Sequence, residues 1–335
     1  MEEEEVSGLM KVLTKYERFH FVKFNILNIP FSNHFTRIEE FLKSGKEVDI
    51  ARVDIKMPNW FKDYVIHDRV VIQAVDCLLL FYNPEIIASP PRTIDEFITY
   101  IRTYTIDNQG KRYGEEGFSS NRIKRYAAFV PLNSGWWMSP FFGGEDRDFL
   151  SQNLEHDSFI KVANSFKELY QSGLLPDFKD TFYEQMIRRF REGEVAMMLN
   201  GPWVIPALKE LGQEFRIALI PRGSEGRFSP MGGQQWVMLS DKEVVKKVMN
   251  YLASDKVAFE LYKYNDTIMP KESVLNNLDN NILAEQLYDG AVKLGKDSDY
   301  ILYNFFSNDY IEYLNDKMSK EELFDSWKGQ VRSLE

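Results

Sequence analysis

The stretch M-I-R-R-F-R-E-G-E-V-A-M-M-L-N-G-P-W, residues Met186 to Trp203, holds three elements in succession. Met186, Ile187 and Phe190 share a helical spacing, and that helix ends in Arg191-Glu192-Gly193. Val195 to Leu199 reads as a short apolar strand. Asn200-Gly201-Pro202 is a tight turn that delivers Trp203 to a new helix predicted over Val204 to Leu211. An apolar strand whose tip presents an indole, with no Ser, Cys or His nucleophile there, suits holding a ligand better than cutting one.

Working outward, strands and helices alternate along the chain. Helices are predicted over Glu3 to Tyr16, Ser32 to Leu42, Thr93 to Tyr104, Phe159 to Ser172, Lys242 to Ala253, Ile282 to Leu294 and Lys320 to Ser333. Thr93 with Glu96 has the form of a capping box. Strands are predicted over Phe21 to Ile29, Val48 to Ile55, Phe215 to Ile220 and Gln234 to Leu239. The apolar run Val70 to Tyr82 is continuous enough for one strand covered on both faces. This alternation means α/β architecture with largely parallel sheets. At 335 residues the chain exceeds one ordinary core, so two domains are expected. No linker of Gly, Ser or Pro divides them.

Composition narrows the chemistry. The formal charge of −10 and the lack of a basic stripe argue against a nucleic-acid partner. A single cysteine excludes an internal disulfide and a cysteine-based zinc site, and His20, His34, His67 and His156 are too scattered for metal spacing. No metal and no cofactor is expected. Cys77, inside an apolar run, reads as a buried inert thiol. No stretch has the roughly 20 apolar residues of a membrane span. The start, Met-Glu-Glu-Glu-Glu, is the opposite of a signal peptide's basic, apolar opening and by itself reads as cytoplasmic.

Phe190, Gly193, Ala196 and Met197, then Asn200, Gly201, Pro202 and Trp203, form a pattern F-x-x-G-x-x-A-M … N-G-P-W. It resembles the extracellular solute-binding proteins of ABC importers, in the carbohydrate-binding family that includes maltose-binding protein. The resemblance extends through D-I-A-R-V-D (Asp49 to Asp54), Q-A-V-D-C-L-L-L-F-Y-N-P-E (Gln73 to Glu85), S-G-W-W-M-S-P-F-F-G-G (Ser134 to Gly144), S-P-M-G-G-Q-Q-W-V-M (Ser229 to Met238) and Tyr262 to Pro270. It implies a two-lobed, type II periplasmic-binding-protein-like α/β fold with hinge crossovers and an interlobe cleft. The crossovers are expected near Gln73 to Asp76, Met231 to Gln235 and Asn265 to Pro270. The first lobe is then 1–74 with 236–267, and the second is 75–235 with 268–335. Two departures make the first lobe read as abridged. An opening apolar strand is missing, and between Asp54 and Val70 about two helices are missing. A central strand lost from a sheet would leave a gap of unpaired backbone. The resemblance also implies an extracytoplasmic protein, periplasmic or lipid-anchored, so that the export signal is missing from this chain.

The implied function is a monomeric receptor that captures a sugar or oligosaccharide by lobe closure and passes it to ABC permease subunits. The expected ligand-binding residues are Asp54, Asp76, Trp136, Trp203, Gly233, Gln234 and Trp236, with no catalytic residue. Trp203 sits at a turn tip and Trp136 follows Gly135 in a loop, both placed to stack on sugar C–H faces. Trp137 reads as packing. Trp236, on the strand leaving Gly232-Gly233, fits ligand or core equally. Asp76 interrupts an apolar strand, so its carboxylate needs either ligand hydroxyls or a cation such as Arg52. Gly233 serves either a close ligand or a bend, and of Gln234 and Gln235 at most one faces the ligand. Two other classes stay open. Asp54 and Asp76 beside Trp136 could be a glycosidase's carboxylates, though nothing fixes the separation of about 5 to 9 Å which that chemistry needs. A degenerate, non-transporting interaction module is the third.

Overall fold

The computed structural model describes residues 3–30, 33–66, 70–178, 182–209, 214–265, 267–278, 281–295 and 297–334. The chain divides into two compact units, one of Met1–Asp76 with Gly232–Asn281, the other of Cys77–Met231 with Ile282–Glu335. It therefore passes between them at 76/77, 231/232 and 281/282. The third passage falls later than the expected 267/268. The Val75 N–H donates to the Ile268 carbonyl at 2.9 Å, which fastens the segment after residue 267 to the first unit.

In chain order the first unit begins with α1 (Glu3–His20), α2 (His34–Lys43), β1 (Ile50–Asp54), α3 (Asn59–Lys62) and β2 (Val70–Asp76). The second unit follows with β3 (Leu79–Tyr82), α4 (Ile94–Tyr104), β4 (Ile106–Asp107), β5 (Ile123–Phe129), α5 (Gly135–Glu145), α6 (His156–Gln171) and α7 (Phe182–Arg191). Next come β6 (Val195–Asn200), α8 (Ile205–Lys209), β7 (Arg216–Ala218) and β8 (Ser229–Pro230). The first unit resumes with β9 (Gly232–Met238), α9 (Glu243–Leu252), α10 (Asp255–Asn265) and α11 (Glu272–Leu275). The second unit closes with α12 (Ile282–Gly290), β10 (Ala291–Val292), α13 (Ser298–Asn304), α14 (Tyr310–Leu314) and α15 (Lys320–Val331).

In the first unit β9 is the central strand of a sheet ordered β1-β9-β2, antiparallel on both sides. Val12, Leu13, Trp236, Met238, Met249 and Leu261 pack α1, α9 and α10 on one face. Ile38, Val53, Phe61 and Val237 pack on the other. No gap opens inside this sheet, because β9 registers directly against both neighbours. Among the described residues, the outer edges of β1 and β2 have no strand partner.

The predicted strand over Phe21 to Ile29 does not form, and that segment carries no regular structure. Val22 and Phe24 rest on the α1 face while Ile29 rests on the α2 face, so the segment serves two cores and lines up with no strand. Phe21 and Leu27 remain exposed.

The second unit has a five-stranded sheet ordered β4-β5-β6-β3-β7. Only β5 and β6 run parallel within it, and β8 with β10 form a separate parallel pair. The sheets are thus mixed and mostly antiparallel rather than largely parallel, because β3 and β9, the strands that follow the first two passages, enter against their neighbours. The run Val70 to Tyr82 is two strands, β2 and β3, in different units. All residues of β6 are buried, as a strand covered on both faces requires.

The abundant aromatics are mostly core. Trp327 is fully buried, stacks on Phe149 at 4.6 Å between centroids, and donates its indole N–H to the Phe149 carbonyl at 2.8 Å. Phe142, Phe159, Phe305 and Tyr310 complete that cluster. Thr93 caps α4, its Oγ1 accepting the Glu96 N–H at 3.1 Å, while the Glu96 carboxylate takes the Arg92 N–H instead of closing a full capping box. Cys77 is buried and in no disulfide.

Candidate functional site

In the first unit the register of β9 sets which side chains meet. Trp236 lies opposite Arg52, Gln234 opposite Asp54 and Ala74, and Gly232 opposite Asp76. Residues two apart on a strand share a face. Asp76, Gln234, Asp54, Arg52 and Trp236 therefore belong to one face of the sheet, graded from polar to apolar along β9. Trp236 is only 7% exposed, sits among the α1, α9 and α10 side chains, and is core rather than a ligand platform. Gln234 is half-buried, whereas Gln235 points to the other face, is buried and donates to the Asp54 carbonyl at 3.0 Å. Gly233 is explained by its neighbour strand, since a β-carbon there would overlap the Ala74 carbonyl oxygen.

A bulge between Ile72 and Ala74 turns Gln73 inward. Its Oε1 accepts from Arg52 Nε, and its Nε2 is buried without a hydrogen-bond partner. Arg52 also pairs with Glu5 of α1 at 3.1 Å. Asp54 accepts the Lys56 N–H at 2.7 Å, which fixes the end of β1. Asp76 is half-buried, and its carboxyl is pushed up to about 7. Burial is the main cause, the Asp54 and Glu5 charges add to it, and Arg52 opposes it. Asp76 is therefore an acid poised to gain or lose its proton near neutrality.

In the second unit Trp136 stands in the first turn of α5, not in a loop, and is half-buried against the core. Trp137 is a staple. Its indole N–H donates to the Leu199 carbonyl at 2.8 Å, and its ring meets Phe182 edge-on at 5.3 Å. That bond ties the helix bearing Trp136 to the end of β6, from which the turn to Trp203 departs. Asn200 is buried and its Oδ1 accepts the Gly201 N–H at 2.9 Å. Pro202 to Val204 then form one 3₁₀ turn, followed by α8, and Leu211 lies outside the described residues. Trp203 is half-buried and folds back over Gly201, where any β-carbon would overlap the indole.

One feature of this end escaped the sequence reading. α13 is pressed against the start of α5, so that a β-carbon on Gly135 would meet Leu302. Its neighbour Tyr303 is 67% exposed, and Tyr300 is 71% exposed. The signal was present as two tyrosines three apart on a helix whose Ile301 and Leu302 face the core.

Among the described residues no group of three or more His, Cys, Asp or Glu is placed to hold a metal ion. No described helix is long and apolar enough to cross a membrane.

The sequence profile of the bacterial extracellular solute-binding proteins matches residues 37–279, and the chain belongs to that family. A maltodextrin-binding protein of Bacillus subtilis is 25% identical over 201 residues, 56% of this chain and 46% of that protein. A galactooligosaccharide-binding protein of the same organism is 21% identical over 315 residues, 82% of this chain and 73% of that one. The chain thus spans about half the length of the first of these relatives. Among solved structures, the GacH receptor of Streptomyces glaucescens, studied with acarbose, superposes with a TM-score of 0.77 at 18% identity, covering 100% of this chain and 96% of that one. MalX of Streptococcus pneumoniae, in complex with maltopentaose, gives 0.77 at 15% identity, covering 99% and 98%. The fold is that of these sugar-binding proteins.

Proposed function

We propose that the chain is the carbohydrate-binding receptor of an ABC importer, acting outside the cytoplasmic membrane as a monomer and delivering an oligosaccharide of the maltodextrin class to its permease. The observation that supports this most is that Trp203, folded over Gly201, departs from the same end of β6 to which the helix bearing Trp136 is tied by the Trp137–Leu199 bond. Indole faces pack on sugar C–H faces, and a carboxylate accepts strong bonds from hydroxyls. Within the first unit, Asp54, Asp76 and Gln234 suit contacts to hydroxyls; within the second, Trp136, Trp203 and Tyr303 suit stacking. Gly233 keeps its place in this reading through backbone approach alone.

Thermal-shift and calorimetric titration with maltose, maltotriose, maltopentaose and a galactooligosaccharide tests the reading. Binding of at least one at micromolar level supports it, and no response to any of them favours the interaction module. The raised Asp76 beside Asp54 is the one feature that suits a glycosidase, because a carboxyl titrating near neutrality can serve as a general acid. The relatives named above are binding proteins, and the proposed role has no bond-breaking step.

A further inference from the structure

We propose that Arg112 and Arg125 form a binding site for a phosphate group at the edge of the five-stranded sheet, beyond the sugar-binding reading and independent of it. Ile106 of the edge strand β4 pairs with Arg125 of β5 on one side and with Arg112 on the other, antiparallel in both cases. Residues directly opposed in a ladder project to one face, about 5 Å apart at each step. The two arginines therefore flank Ile106 on one face, with only that apolar residue between them.

Among the described residues neither guanidinium takes part in a hydrogen bond or an ion pair. The Glu115 carboxylate accepts the main-chain N–H of Arg112 at 2.9 Å, not its guanidinium. Arg125 is half-buried, and its Nε is buried with no acceptor. A buried donor left unmet costs stability, and more when it is charged. Burial and the charge of Arg112 both hold the Arg125 guanidinium below its ordinary pKa. One anion held between the two forks meets the donor and cancels the repulsion. Phosphate suits this because it has oxygens enough to take paired N–H bonds from each fork, whereas a carboxylate's two oxygens serve only one. Exposed Arg122 and Lys124 add positive charge nearby, in a chain whose net charge is −10.

This place is at the other end of the sheet from the aromatic tip. β5 and β6 are parallel, and Tyr126, next to Arg125, pairs with Val195 at the start of β6. The turn to Trp203 leaves from Asn200 at the end of β6, roughly 16 Å further along at about 3.3 Å per residue.

The test titrates the full chain with inorganic phosphate at constant ionic strength, by phosphorus NMR and by thermal scan against chloride. Wild type is compared with Arg112→Gln, Arg125→Gln and Arg125→Lys. Parallel samples are sedimented with phosphatidylglycerol vesicles, and with phosphatidylcholine vesicles as the reference without net charge. Phosphate should bind the wild type and raise its melting temperature. Each Gln variant should weaken binding roughly tenfold, and Arg125→Lys, which keeps the charge but loses the fork, should fall between. Should Arg125→Gln fail to fold, Arg112→Gln, at an exposed position, carries the test. Phosphate binding without vesicle binding supports the site and names soluble phosphate compounds as its source. Arginine-dependent sedimentation with phosphatidylglycerol supports it and names membrane headgroups. Binding of neither probe, or binding that survives undiminished in the folded Gln variants, overturns the proposal and leaves the pair a solvated sheet edge.

Discussion

The indole of Trp203 lies over the backbone of Gly201, in space that any side chain at Gly201 would occupy. Gly201→Ala should therefore push the ring outward, in a protein whose core is untouched. We expect Trp203→Ala to weaken oligosaccharide binding about tenfold or more, from roughly 1 to 3 kcal/mol of lost stacking and burial. Gly201→Ala should reproduce most of that loss with little change in melting temperature. Calorimetric titration beside a thermal scan checks both, and full affinity in Gly201→Ala would mean that the indole's position is immaterial.

Tyr303, exposed on the helix pressed against the start of α5, should behave as a stacking residue. Tyr303→Ala should lower affinity for maltotetraose more than for maltose, because a platform beyond Trp136 serves added sugar rings. Equal losses for the two sugars would remove it from the site.

Asp76 makes stability and binding respond to pH in opposite senses. Its folded pKa of about 7 lies above the ordinary 3.8, so the folded chain holds that proton more tightly than the unfolded one. The stability it contributes is full below about pH 4 and is lost as pH rises through 7. Asp76→Asn should flatten this part of the curve, as denaturant titrations at pH 5 and pH 8 can show. Sugar binding runs the other way, weakening as pH falls below 7 because the carboxylate is consumed.

Trp236 gives a contrasting outcome. Buried among α1, α9 and α10, it should cost about 3 to 5 kcal/mol on replacement by Ala. Trp236→Phe should bind sugar normally once folded, and a clear loss of affinity in a fully folded Trp236→Phe protein would return it to the ligand set.

Incubation with maltodextrins should return them intact, as chromatography of the mixture would show. Turnover abolished by Asp76→Asn would convert the receptor reading into an enzymatic one.

Helices such as α6 and α9 were legible because their apolar spacing is local, and the Thr93 cap because its chemistry is local. Strand pairing is not local. Phe21 to Ile29 has the apolar residues of a strand, yet two different cores draw on it. Apart from the Phe24 amide, which donates to Glu17 at 2.8 Å, hydrogen exchange should find its amides unprotected beside slow ones in β3 and β6. The helix α5 was hidden by Gly135, Pro140, Gly143 and Gly144, poor helix formers held in place by burial of nearly the whole element. Val70 to Tyr82 reads as one run because hydropathy cannot show where a chain leaves one core for another. At the site, turn chemistry exposed Trp203, whereas the Glu5–Arg52–Gln73 set needed the bulge in β2, which leaves no mark in sequence.

The strands β1 and β2 pair with β9 and not with each other. While the chain is being made, residues up to Asp76 leave the ribosome with no sheet to join, and they wait through the whole of Cys77–Met231. The five-stranded sheet has all its strands once Ala218 has emerged. Contacts of such long sequence separation are slow to form, so the half that is synthesised first is the half whose sheet closes last. In that interval α1 has an apolar face and nothing to cover it, which makes the nascent chain a client for whatever holds unfolded segments apart.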